Sequence, residues 1–168
     1  HADEIVSLGG AELAARTGAL SADHLLMVSQ EGVSELSKSQ TVATLLPATA
    51  FCLNKPYAPA RQLIDSGCAV ALATDFNPGS CFTDSIPLIL ALAVIHMRMS
   101  LNEALTALTL NGAAALGIAD RAGSLEPGKQ ADYVILKYPD YQFLIYHTCM
   151  NIVESVVKNG TLVYKSNG

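Results

Sequence analysis

The sequence predicts an α/β protein built on a parallel sheet, with a small all-β segment at its C-terminal end. Three observations carry this expectation. Short apolar runs alternate with helix-periodic segments through the first two thirds of the chain, the rhythm of βα units. Hydrophobic residues make up 51% of the 168 residues and charged residues only 15%, as expected when strands are buried on both faces. After Gly117 the texture changes to turn-rich sequence and short strands.

Each element has its own signal. Residues 25–28 form an apolar run behind Ser21-Ala22-Asp23-His24, and 31–39 read as a polar-faced helix. Residues 41–46 are a β-rich run stopped by Pro47. A helix over 59–66 is closed by Gly67, and 69–73 form the next apolar run, ending in Thr74-Asp75. A long apolar helix is expected over 85–99 with Ser85 as its N-cap. Ser100 and Glu103 have capping-box spacing, which predicts a further helix to about Leu116 with Gly117 at its end. Strands are expected at 131–136, 153–157 and 161–164, the last two joined by Lys158-Asn159-Gly160, a strong hairpin signal. Three βα units, and a fourth that starts at or before His1, amount to about half of an eight-fold barrel. A doubly wound open sheet is the alternative, but no glycine-rich phosphate motif supports a nucleotide-binding version.

Composition narrows the function classes. The apolar stretch at 86–95 is interrupted by Pro87 and falls short of the roughly 20 residues that span a membrane. No basic segment followed by an apolar one opens the chain, so no signal peptide is expected. The net charge is −5 without a Lys/Arg cluster, which argues against nucleic acid as a partner. Cys52, Cys68, Cys81 and Cys149 form no CxxC pair. They read as small core residues with free thiols, which suits a reducing cytoplasm. The chain opens on His1 rather than methionine, and we expect residues upstream of it.

In parallel barrels chemistry sits at the C-terminal ends of strands. Asp75 stops an apolar run and therefore lies where a carboxylate can bind a metal or carry a proton, although such an Asp also serves as a turn residue. His24 lies at the start of its run, so pattern alone does not bring it to a mouth. His1 and Glu4 stand at the very beginning. In the loop after Asp75, Gly79 would let backbone approach a ligand, and Asn77 and Ser80 would supply hydrogen bonds. The bland reading of that loop is a turn. His96 and His147 read as structural or surface residues. Two histidines and an aspartate allow metal-assisted hydrolysis, but three or four ligands are normal and no HxH pair is present.

The ordered set His-Ala-Asp-Glu, Ser-Ala-Asp-His and Ala-Thr-Asp-Phe-Asn-Pro-Gly-Ser resembles the second half of the imidazolonepropionases. The later Gly-Ser-Leu-Glu-Pro-Gly-Lys-Gln-Ala-Asp is typical of the wider amidohydrolase superfamily. The resemblance covers essentially the whole chain. It implies that residues 1–120 are the C-terminal half of a TIM-like (β/α)8 amidohydrolase barrel. It implies that 121–168 supply C-terminal strands to a small β-sandwich. It implies one zinc or iron ion, with His1 and Asp75 among its ligands, Asp75 and His24 catalytic, and Glu4, Asn77, Gly79 and Ser80 against substrate. The implied reaction is hydrolytic opening of 4-imidazolone-5-propanoate to N-formimidoyl-L-glutamate in histidine degradation. The family's HxH pair and the arginine and tyrosine that hold the propionate are absent here. The implied partners are therefore the small-molecule substrate, the missing N-terminal half and, on resemblance, a second copy in a homodimer. The rivals are another amidohydrolase (a deaminase or deacetylase) and a non-catalytic half-barrel module.

Overall fold

Buried apolar runs become a parallel sheet when each is returned to the same end by a helix, and the computed structural model, which describes residues 1–167, has this arrangement. Strands β1 (Ser21–Asp23), β2 (Val42–Leu45) and β3 (Val70–Leu72) lie side by side in that order, all parallel. Ala22 sits beside Ala43, and Ala43 beside Val70. Every residue of β2 and β3 is buried, as the apolar runs require. The first residues add a further rung. Ala2 is bridged in parallel to His24, with Ala2 N–H donating to the Asp23 carbonyl (2.9 Å) and Leu25 N–H to that of Ala2 (3.0 Å).

Helices α1 (Gly10–Thr17), α2 (Gln30–Ser37), α3 (Pro47–Cys52) and α4 (Ala60–Asp65) precede β3, and α5 (Ile86–Ile95), α6 (Leu101–Leu108) and α7 (Leu110–Ala115) follow it. Helix α1 is tied to the first residues by Asp3. Its buried carboxylate accepts N–H bonds from Leu8 (2.8 Å), Gly10 (3.1 Å) and Ala11 (2.9 Å). Burial alone would raise the Asp3 carboxyl, but the backbone N–H groups of Ala11, Leu8, Gly10 and Gly9 outweigh it and hold it below the usual range. Gly10 is required for this approach, since a Cβ there would stand 3.0 Å from the Ala2 Cα and 3.1 Å from the Asp3 nitrogen.

The tail forms a separate antiparallel sheet of β4 (Tyr133–Leu136), β5 (Val153–Lys158) and β6 (Thr161–Lys165) in that order. Asn159 and Gly160 both have positive φ, 49° and 74°, as the tight hairpin demands. Between β4 and β5 lies α8 (Phe143–Tyr146), whose Leu144 and Ile145 pack on the main core.

Several expectations are corrected. The run 25–28 is not a strand; the strand is Ser21–Asp23, because His24 and Leu25 take positive φ (79° and 59°) and turn the chain. His24 therefore lies at the C-terminal end of a strand, not at its start. The helix expected over 85–99 stops at Ile95, where Met97 N–H returns to the Leu92 carbonyl (3.1 Å) and Met97 and Met99 turn into the core. The helix expected over 100–116 breaks at Thr109, whose hydroxyl caps the Leu105 carbonyl at 2.7 Å. That break lets Asn111 reach the Val70 carbonyl at 2.8 Å. Cys68 and Cys81 are buried as expected, but Cys52 and Cys149 are exposed. Helices α1, α3 and α8 were not anticipated. Among the described residues no helix is long and apolar enough to cross a membrane.

Three outcomes follow from this packing. Replacing Asp3 with Ala leaves up to three N–H groups without an acceptor, and should lower stability by about 1–3 kcal/mol, read as a shift in the urea midpoint. Glu103 completes the Ser100 capping box and takes two bonds from Arg61 (2.9 and 3.0 Å). The Arg61 guanidinium holds its carboxyl down to about 2, against 4.5 for the free group. Because the folded value is depressed, the stabilisation is complete above pH 4.5 and fades as pH falls toward 2. Glu103→Ala should cost about 1 kcal/mol at neutral pH, the pair being partly solvated, and should flatten the loss of stability between pH 5 and 2. Finally, Ile5 and Leu8 are 80% and 84% exposed and every residue of β6 is exposed. Open apolar surface and strand edges of this kind associate, so light scattering should find the 168-residue chain self-associated rather than as a clean monomer.

Candidate active site

The sheet gathers polar side chains at one end, just past the C-terminal ends of its strands. His24 follows β1 directly and is 2% exposed. The paired rung at Ala2 brings His1 and Glu4 beside it. The His1 and His24 rings stack at 4.7 Å between centroids, 17° from parallel. Glu4 lies between them, with one carboxylate oxygen 3.4 Å from His1 Nδ1 and the other 3.6 Å from His24 Nδ1. One ligand atom from each of His1, Glu4 and His24 falls within 4.8 Å of the others.

His24 Nδ1 is fully buried and makes no hydrogen bond. An orphaned buried nitrogen is costly, and a stacked histidine and a carboxylate beside it make a donor set suited to a transition metal. His1, the exposed member of this set, fits such an ion, with Glu4 and His24 standing beside it. Glu4 and His24 open onto a cleft of about 160 Å³ that also touches Thr49 and Lys55.

Asp75 is joined to this cleft through Thr49. The Thr49 hydroxyl, at the start of α3 just beyond β2, donates to Asp75 Oδ2 at 2.6 Å. Asp75 itself holds a left-handed φ of 52°, an uncommon conformation for a residue with a side chain. Asp75 is not part of the group formed by His1, Glu4 and His24.

The following loop is self-contained. The Asn77 amide donates to the Asp75 carbonyl (2.8 Å) and to Ser80 Oγ (3.0 Å). Its oxygen accepts from the N–H groups of Gly79 (2.9 Å) and Ser80 (2.8 Å). Asn77 and Cys81 close the loop by exchanging backbone bonds at 2.9 and 3.3 Å. Asn77 and Ser80 thus shape the loop behind Asp75, and Gly79 is its exposed tip.

Of the residues singled out in the sequence, His1, Glu4 and His24 meet directly, Asp75 meets them through Thr49, and Asn77, Gly79 and Ser80 stand together behind Asp75. His96 is exposed and stacks on Tyr57 at 5.3 Å, and His147 belongs to an aromatic group with Tyr138 and Phe143. Sequence reasoning missed Asp3, Thr49 and Lys55. Asp3 had a signal, an acid seven residues ahead of a Gly-Gly helix start. Thr49 and Lys55 had none, since nothing local marks which helical turn faces a cleft.

The profile of the Amidohydrolase family matches residues 2–163. The chain is 62% identical over 167 residues to the imidazolonepropionase of Porphyromonas gingivalis, and 61% identical over 167 residues to that of Clostridium tetani. Each alignment covers 99% of this chain and 40% of the relative, so the chain spans about two fifths of the length of these curated relatives. A zinc-bound adenosine deaminase from Xanthomonas campestris superposes with a TM-score of 0.74 at 25% identity, over 84% of this chain and 36% of that one. The zinc complex of atrazine chlorohydrolase from Arthrobacter aurescens gives the same TM-score at 22% identity, over 86% and 36%, a likeness of fold alone. A parallel α/β sheet with its polar residues at one end, matched by the family profile over nearly its whole length, establishes that this chain belongs to the amidohydrolase family.

Proposed function

We propose that this chain carries part of the active site of an imidazolonepropionase, which opens 4-imidazolone-5-propanoate with water to give N-formimidoyl-L-glutamate. In this reading residues 1–120 are the C-terminal half of a TIM-like barrel and 121–168 are strands of a composite β-sandwich. The observation that carries it is the buried, unpartnered His24 beside His1 and Glu4, in a chain above 60% identical to proteins of that name. A single zinc or iron ion on His1 and Asp75, with ligands from outside this chain, would supply hydroxide at neutral pH.

The chain's own residues then divide the work. His24, fixed by burial, polarises the ring carbonyl as the water oxygen bonds to its carbon. Asp75, held on Oδ2 by Thr49, takes the proton from the attacking water on Oδ1. It passes that proton to the ring nitrogen as the C–N bond breaks, which frees the formimidoyl nitrogen, while the new carboxylic acid gives its own proton to solvent and leaves as a carboxylate. Glu4 faces the substrate from beside His24. The loop of Asn77, Gly79 and Ser80 closes against it and sets the position of Asp75. A homodimer and a cytoplasmic setting belong to the same proposal.

The test is a substrate panel of 4-imidazolone-5-propanoate, guanine and cytosine on a polypeptide of the relatives' full length that includes this chain. Turnover of the imidazolone alone is expected. Asp75→Asn and His24→Gln should each lower kcat by about 100-fold or more with unchanged circular dichroism. The 168-residue chain by itself should bind zinc weakly and turn over none of the panel. Deamination of guanine or cytosine in place of ring opening, or full activity in the short chain, would overturn the reading.

A further inference from the structure

The parallel sheet has two faces of different character. Ala22, Ala43, Leu45, Val70 and Leu72 point into the core shared with α2, α4 and α5. Side chains alternate along a strand, so Ser21, Asp23, Val42, Thr44 and Ala71 lie on the opposite face. The register sets Ser21 beside Val42, Asp23 beside Thr44, and Thr44 beside Ala71. Asp23 and Thr44 are therefore lateral neighbours, in the row just before His24. Ser21 Oγ donates to Asp23 Oδ1 at 2.8 Å, as two residues on one face can. Among the described residues no Lys or Arg pairs with Asp23, since each cation in an ion pair has another partner. Thr44 is 9% exposed, and its hydroxyl is fully buried without a hydrogen-bond partner. A half-buried carboxylate and an orphaned hydroxyl thus stand side by side on the face turned away from the main core.

We propose that this face is a docking surface for one cationic side chain, a lysine or arginine on a strand that closes the barrel in a polypeptide of the relatives' full length. The inference rests on the half-barrel reading above and not on the substrate. The chain matches 40% of each relative, so such a polypeptide has further sequence from which closing strands can come. The inside of a closed barrel is filled by layers of side chains. A carboxylate shut in there keeps its charge when an opposite charge and hydrogen bonds replace water. The orphaned hydroxyl narrows the choice of partner. Neighbouring strands lie about 4.8 Å apart, so one group with several donors reaches both Asp23 and Thr44. An ammonium offers three N–H donors and a guanidinium five, and neither has an acceptor to repel the carboxylate. Pairing here would fix the end of β1 one residue before His24, and so couple closure of the barrel to the placement of that histidine.

The experiment is thermal unfolding, followed by circular dichroism, of a polypeptide of the relatives' full length that includes this chain. Asp23→Asn removes the charge at nearly constant shape and should lower Tm by about 5 °C or more. One Lys→Met or Arg→Met change outside this chain's 168 residues should recover at least half of that loss, because removing both members of a buried pair costs less than removing one. Thr44→Val is read by its sign. A hydroxyl bonded to the cation makes the valine destabilising, whereas a hydroxyl still orphaned in the closed barrel makes it stabilising. A fall in Tm is expected. A rise for Thr44→Val would overturn the proposal, and so would a complete set of Lys and Arg changes none of which recovers the Asp23→Asn loss. If Asp23→Asn does not fold, the sign for Thr44→Val decides alone. Turnover of the imidazolone by the unmutated polypeptide is scored separately. Activity there, with Thr44→Val stabilising, sinks this inference and leaves the substrate reading standing. An inactive polypeptide that shows the fall and the recovery sinks the substrate reading and supports the docked cation.

Discussion

The placement of the candidate site depends on one buried carboxylate. Asp3 accepts three backbone N–H bonds at the entry to α1, and its carbonyl accepts another from Met27 at 2.8 Å. A charge can be kept inside a protein when its lone pairs are met by oriented donors, and here the donors belong to the helix that follows. The consequence is positional. The chain is gripped between His1 and Glu4, so both side chains are delivered to the end of the sheet where His24 emerges. Gly10 permits this grip, because a side chain there would collide with the backbone it must approach.

A second constraint acts on the far side of the same cleft. Three residues of the candidate site, His24, Asp75 and Thr49, sit just past the ends of neighbouring strands. His24 and Asp75 are both in left-handed backbone conformations. Such conformations cost of order 1–3 kcal/mol each in non-glycine residues, and the surrounding structure over-determines them: His24 N–H bonds the Thr44 carbonyl at 3.0 Å, and Asp75 is held through Thr49 and Asn77. The loop of Asn77, Gly79, Ser80 and Cys81 is held by its own hydrogen bonds and anchored by the buried Cys81. Its link to α3 is the Thr49 hydroxyl on Asp75 Oδ2.

The C-terminal sheet follows different rules. Its hairpin is locked locally, with Asp132 accepting from Asn159 N–H at 2.7 Å and pairing with Lys158. Its apolar side chains, Tyr133, Val134, Leu162 and Val163 among them, remain largely exposed. Three short strands with both faces partly open bury too little to stand alone, while α8 and its Leu144 and Ile145 return apolar surface to the main core. Such exposed apolar area fits a chain that spans two fifths of its relatives' length.

Much of this architecture was legible in the residues themselves. Parallel strands at 42–45 and 70–72, the Ser85 and Ser100 caps and the Asn159-Gly160 hairpin are local signals, since caps, turns and fully apolar runs act over a few residues. Asp75 and the Asn77–Ser80 loop were legible as a strand end followed by turn formers, whereas His1, Glu4 and His24 were singled out only by the family resemblance. Tertiary structure decided what local pattern could not. It shifted the first strand from 25–28 to Ser21–Asp23 and so moved His24 to the mouth of the sheet. It broke the helix at Thr109 so that Asn111 could reach β3. It also chose Asp3 and Thr49 as the groups that hold the site together. Each of these depends on contacts between residues distant in sequence, and a backbone conformation such as that of His24 is selected by those contacts rather than by its own propensity.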